Sequence, residues 1–141
     1  MISRARLVHV PGRTTADAAD LGGKATNLER LGAAGNTVPR WFAVTTDAFE
    51  SALASAGIDD IIADRVSALG GAPDAARRLS EEVREAVLRM SLPSHIAGAI
   101  FETYEEIFAG GAHVAVRSSA VGEDAAGESF AGLHDLSLIH I

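Results

Sequence analysis

Lys24 is the only lysine in the chain; the other eleven of its 12 basic residues are arginines. It follows Gly22-Gly23 and opens a stretch that reads as a helix, Gly23 to Ala34. An ammonium is a compact point charge suited to phosphate oxygens, and the first turn of a helix presents backbone N–H groups to anions. A cation in that turn opposes the helix dipole by a few tenths of a kcal/mol, roughly, a cost that an anion bound at the same place would offset. Arg117 ends the apolar run Val114–Val116, where a strand would deliver a guanidinium to a site. Beyond it, Ser118 to Asp135 is rich in glycine and hydroxyl residues, a composition suited to presenting N–H groups to phosphates. Glycines 127 and 132 would let the backbone approach a ligand closely. Taken alone, these residues leave two readings open for each stretch: an anion site, or a solvated lysine and an ordinary hairpin.

Other chemistries find less support. A Walker-type phosphate loop needs a glycine five residues before its Gly-Lys pair and a Ser or Thr after the lysine. Ala18 and Ala25 stand there instead. The five histidines, His9, His95, His113, His134 and His140, lack metal-ligand spacing. His95 reads as a helix-surface residue and His113 as a strand-edge residue. Glu123-Asp124 reads as a solvated pair, and Ser118-Ser119 lacks the context of a nucleophile elbow.

The elements that must position Lys24 and Arg117 follow from hydrophobic period and turn chemistry. Leu7 to Val10 reads as a short edge strand ended by Pro11-Gly12, with a loop or short turn over Thr14 to Asp20. Ala25, Leu28 and Leu31 share one face of the Gly23–Ala34 helix, and Gly35 suits its end. Trp41 to Thr45 is an apolar run bounded by Pro39, expected as a buried strand. A helix capped by Thr46 or Asp47 follows, with Phe49 and Leu53 inward and Gly57 at its end. The next helix, Asp59 to Leu69, would bury Ile61, Ile62, Val66 and Leu69. Pro73 opens another in the tolerated first-turn position, with Ala76, Leu79, Val83, Ala86, Val87 and Met90 on one face. Leu92-Pro93 introduces a fourth, with Ile96, Ile100, Tyr104 and Ile107 inward. Four helices thus stand between the strand at 41–45 and the strand Val114–Arg117.

A length of 141 residues allows one domain at most, or a piece of one, and an apolar fraction of 48% supports a core. The net charge of −7 argues against nucleic acid or an anionic membrane surface as partner. It leaves room for a small phosphorylated ligand held by a local pair of cations. Without cysteine there is no disulfide and no thiolate nucleophile. No apolar run approaches the ~20 residues needed to span a bilayer. A cytoplasmic protein is expected.

GGKATNLERLGAAGNTVPRWFAVTTDAF followed by VAVRSSAVGEDAAGESFAG resembles the N-terminal part of the AMP/ATP-binding domain of the phosphoenolpyruvate synthase and pyruvate phosphate dikinase family. Rifampicin phosphotransferase shares that domain. The resemblance runs from about Leu21 to Asp135 and is weak between Gly57 and Gly110. It implies an α+β fold, the N-terminal portion of an ATP-grasp-type domain with a helical insertion between strands. It implies that ATP passes a phosphoryl group, through a histidine on a separate domain, to pyruvate, giving phosphoenolpyruvate, AMP and phosphate. Lys24 and Arg117 match the family's phosphate-contacting lysine and arginine. Gly132 matches a glycine of the loop against the nucleotide, with Ser129 and Ala131 as further backbone contacts.

Residues 136–141 depart from the pattern: Leu136 stands where a nucleotide-contacting Thr is expected. The acidic residues for Mg²⁺, the phosphorylated histidine and the substrate domain have no counterpart in these 141 residues. The expectation is a partial nucleotide domain over 1–135 and an atypical tail, from truncation or frameshift, over 136–141, inactive alone. Two alternatives stand beside it: a fragment of a rifampicin phosphotransferase-type dikinase, and a non-catalytic nucleotide-binding remnant.

Overall fold

The computed structural model describes residues 3–67, 73–108, 111–119 and 136–139. The fold is α+β and mostly helical, with two small antiparallel strand pairs among the described residues. A single helical turn, α1 (Arg4–Leu7), runs directly into β1 (Val8–His9). Helix α2 (Ala18–Ala33) follows, then β2 (Ala43–Val44), which pairs with β1 in the register Val8↔Val44 and His9↔Ala43. Helices α3 (Thr46–Ala56), α4 (Ile58–Ser67), α5 (Pro73–Arg89) and α6 (Ser94–Phe108) come next. The chain closes with β3 (Val114–Arg117) and β4 (Leu136–Ile139), paired from Val114↔Ile139 to Arg117↔Leu136. The helical passage between strands is as the sequence suggested.

The core forms where α1 and β1 meet α3 and α6. Leu7, Val8, Ala48, Ala52, Ile96 and Ala99 are buried together, with Phe42, Met90 and Ile100 packed around them. Alanines on α3 and α6 allow close approach of the backbones. Thr45 ties this centre together. Its backbone N–H donates to the Leu7 carbonyl at 3.1 Å, and its hydroxyl lies against the Arg6 and Leu7 carbonyls. The same hydroxyl accepts from the Ala48 N–H at 3.3 Å, so Thr45 caps α3. At the far end of α6, the Tyr104 hydroxyl donates to the Ala112 carbonyl at 2.9 Å, which fixes the approach to β3.

Several expectations change. Strand β1 is only Val8–His9, because Arg4 to Leu7 has already turned as a helix. The segment before Gly23 is not loop throughout: α2 starts at Ala18. Asp17 accepts from the Ala19 and Asp20 N–H groups at 2.9 and 3.1 Å, while the Asp20 side chain returns to the Asp17 N–H at 3.2 Å. That reciprocal capping starts the helix five residues earlier than the apolar period suggested. The run at 41–45 yields only two strand residues, with Val44 exposed; among the described residues β2 has a single ladder partner, β1. The cap of α3 is Thr45, not Thr46 or Asp47. Phe49 points outward and is 50% exposed. Ala48 and Ala52 face the core instead, and Phe49 lies about 100° around the helix from Ala48.

Helix α4 buries Ile58 and half-buries Ile62, four residues on, leaving Ile61 and Val66 exposed; Leu69 lies outside the described residues. On α5, Leu79, Val83, Ala86 and Val87 are half-buried and Ala76 is exposed. The inward positions of α6 come out as read, with Ile96, Tyr104 and Ile107 buried and Ile100 half-buried.

Ile96, at 1% exposure, is the largest side chain fully sealed in this core. Truncation to alanine is expected to cost ~2–5 kcal/mol, read as a shift in the urea midpoint at unchanged slope. Phe49→Ala should cost under about 1.5 kcal/mol in the same titration, because half of that ring is already in water.

Candidate functional site

Helix α2 is two helical pieces joined at Gly22, whose backbone is non-helical at φ 72° and ψ 174°. Only glycine adopts that combination at low cost. The second piece begins at Gly23, where the sequence placed it, and Lys24 lies in its first turn. A side chain at position 22 would normally cap this turn, but glycine has none. The cap comes from Ser119, just past the end of β3. Its hydroxyl accepts from the Ala25 N–H at 3.2 Å and donates to the Leu21 carbonyl at 2.8 Å. One hydroxyl therefore satisfies a donor and an acceptor that the kink would otherwise leave without helical partners. The Gly22 carbonyl accepts from the Thr26 hydroxyl at 2.7 Å.

The fit is close. A Cβ at Gly22 would stand 1.9 Å from the Ser119 carbonyl oxygen and 2.8 Å from its Oγ. Gly22 is thus needed for its missing side chain as well as for its dihedral angles. Through this contact the structure brings together the two stretches that the sequence singled out. Lys24 lies two residues beyond Gly22 and is half-buried; Arg117 lies two residues before Ser119 and is exposed. Two cations of different geometry flank one tight backbone junction in an otherwise acidic chain. Ser129, Ala131 and Gly132 lie outside the described residues. His95 and His113 are exposed, as expected.

Helix α2 has a second anchor that spacing did not announce. His9 on β1 is 2% exposed, and both of its ring nitrogens are engaged. Nε2 meets the Glu29 carboxylate, and Nδ1 lies 3.0 Å from the Thr14 hydroxyl. The Trp41 ring is tilted against the imidazole, with centroids 5.7 Å apart. Trp41 is therefore a packing partner of β1. Glu29 lies on the same helix as Lys24, so this pair fixes the body of α2 while Ser119 fixes its kink. Ser119 was not legible as a partner of Gly22: 98 residues separate it from Leu21, and its sole sequence signal was its place two residues after Arg117. Among the described residues no group of three or more His, Cys, Asp or Glu side chains is arranged to hold a metal ion. None of the described helices is long and apolar enough to cross a membrane.

Residues 18–140 match the AMP/ATP-binding domain of pyruvate phosphate dikinase, and the chain belongs to that family, which includes the phosphoenolpyruvate synthases. It is 34% identical to a probable phosphoenolpyruvate synthase of Methanocaldococcus jannaschii over 83% of its own length and 10% of that protein's. It is 32% identical to the phosphoenolpyruvate synthase of Aeropyrum pernix, covering 84% of this chain and 15% of that one. A rifampicin phosphotransferase of Streptomyces sviceus is 38% identical over 84% of this chain and 14% of its own. The chain therefore spans between a tenth and a sixth of the length of these relatives. No solved structure matches it.

The junction at Gly22 can be tested by stability alone. Gly22→Ala is expected to cost about 3 kcal/mol or more, since both its dihedral angles and the Ser119 carbonyl oppose a Cβ. Gly35→Ala, also at positive φ (82°) but with nothing within 4 Å of the new methyl, should cost only about 1–2 kcal/mol. Chemical denaturation of the two variants side by side would show the difference.

Proposed function

We propose that this chain is the ATP-binding N-terminal part of an ATP-grasp-type nucleotide domain in a cytoplasmic dikinase of the phosphoenolpyruvate synthase type. In the whole enzyme, ATP supplies a phosphoryl group that travels through a histidine on another domain to pyruvate, leaving AMP and phosphate. Lys24 and Arg117 hold the ATP phosphates. The ammonium neutralises charge at the helix start, and the guanidinium offers two parallel N–H donors to phosphate oxygens. Ser129, Ala131 and Gly132 lie against the nucleotide through their backbone. Transfer of this kind needs mainly positioning and charge neutralisation, which cations and N–H groups provide.

The observation that carries this reading is the Ser119–Gly22 junction, which gathers the Lys24 turn and the Arg117 strand end in a chain of the AMP/ATP-binding family. The described residues bear on the phosphates of ATP rather than on its Mg²⁺, whose ligands we assign to other parts of the enzyme. Rifampicin is the alternative acceptor. It is supported by relatives named rifampicin phosphotransferase at 37% and 38% identity, as high as the synthases. The portion of these relatives that the chain spans, 14% of each, does not choose between the acceptors.

Calorimetric titration of the 141-residue chain with ATP provides the test. Lys24→Ala and Arg117→Ala should each weaken binding about tenfold or more, Arg117→Ala the more strongly, with the circular dichroism unchanged. Arg117→Lys should fail to restore affinity, because an ammonium lacks the planar pair of donors. Unchanged binding in both alanine variants would instead point to a non-catalytic remnant. With pyruvate and Mg²⁺ added, the chain alone should show no sustained release of AMP.

A further inference from the structure

Ser119 makes none of the contacts to ATP assigned above, yet its hydroxyl is the group that joins the Lys24 turn to the Arg117 strand end. Three observations set it apart from a residue that merely packs. Its hydroxyl uses its donor on the Leu21 carbonyl and an acceptor position on the Ala25 N–H, so it spans the kink from one side to the other. Its backbone carbonyl occupies the space where any other residue at position 22 would put a side chain. And it lies on the same strand end as Arg117, so a displacement of Ser119 moves the guanidinium relative to the helix that carries Lys24.

Capping groups are normally local, supplied by the residue just before the helix. Here the cap is remote, and the geometry of one cation is thereby made conditional on the position of the other. We infer that Ser119 is a positioning residue for phosphate binding: its hydroxyl holds the Lys24 turn and the Arg117 strand end at a fixed separation, so that both cations meet one phosphate chain. The inference rests on the nucleotide reading given above and adds to it a residue whose role is geometric. Affinity for the phosphate-bearing part of the ligand is then what Ser119 controls, while affinity for the nucleoside part is independent of it.

The test uses the 141-residue chain with ATP and adenosine as probes. Loss of a capping hydroxyl should make ATP binding roughly threefold to tenfold weaker in Ser119→Ala, with adenosine binding unchanged. Ser119→Thr, which keeps the hydroxyl, should bring ATP affinity back toward that of the unmodified chain. Should Ser119→Ala not fold, Ser119→Cys takes its place, since a thiol keeps the shape with a much weaker donor and acceptor. ATP affinity unchanged in the alanine or cysteine variant would overturn the inference and leave the nucleotide reading intact. Equal losses for ATP and adenosine would overturn it too, by showing a general structural role. Failure of the unmodified chain to bind ATP would remove the nucleotide reading itself, and the role of Ser119 with it.

Discussion

The junction between Gly22 and Ser119 is the constraint on which the geometry of the candidate site depends. A helix that kinks at its fifth residue exposes backbone groups that need partners, and a glycine at the kink cannot supply one. A hydroxyl reaching in from beyond β3 supplies both at once. The closeness of the contact excludes every other residue type at position 22, so the dihedral angles, the capping and the packing all demand the same residue. Agreement of independent requirements at one position is what makes a local geometry reproducible.

The rest of the chain holds the two halves of this junction at the required distance. On one side, α2 is held by the contact of buried His9 with Glu29, which ties it to β1 and so to the core with α3 and α6. On the other, Tyr104 of α6 fixes the approach to β3 through the Ala112 carbonyl. Helix α6 is therefore common to both, packing the core that carries β1 and leading into the strand that carries Arg117. Arg4 bonds to Glu102 and Thr103 of α6, joining the start of the chain to that helix as well. These surface ion pairs contribute little each, and the buried side chains of the core contribute most of the binding between elements. Helices α4 and α5 stand apart from this linkage, with polar faces and half-buried stripes.

Both stretches bearing the candidate site residues were legible in the sequence, because lone Lys24 beside paired glycines and Arg117 at the end of an apolar run are unusual choices of residue type. The helices were legible too, from their period. Which face each helix buries was less so. Phe49 and Ile61 are apolar and correctly spaced, yet both are exposed: α3 turns Ala48 and Ala52 onto Leu7 and Val8, and α4 buries Ile58 instead. Helical spacing names candidate faces, and partner geometry selects among them. The early start of α2 was written in Asp17 and Asp20 but was hidden by the polar, alanine-rich composition around them. The pairing of Gly22 with Ser119, and of His9 with Glu29, depends on contacts between distant segments that no local pattern encodes.

The remote cap has a consequence for the order in which the protein can be made. Ribosomes deliver the chain from its N-terminus, so the kinked helix emerges well before the hydroxyl that completes it. Ala25 and its acceptor are separated by 94 residues, which at the usual ~5–20 residues per second is a delay of roughly 5 to 20 s. During that interval the Ala25 amide and the Leu21 carbonyl, four residues apart, lack the hydroxyl that bridges them in the folded chain. The turn carrying Lys24 therefore receives its remote cap only after the helices α3 to α6 have been synthesised.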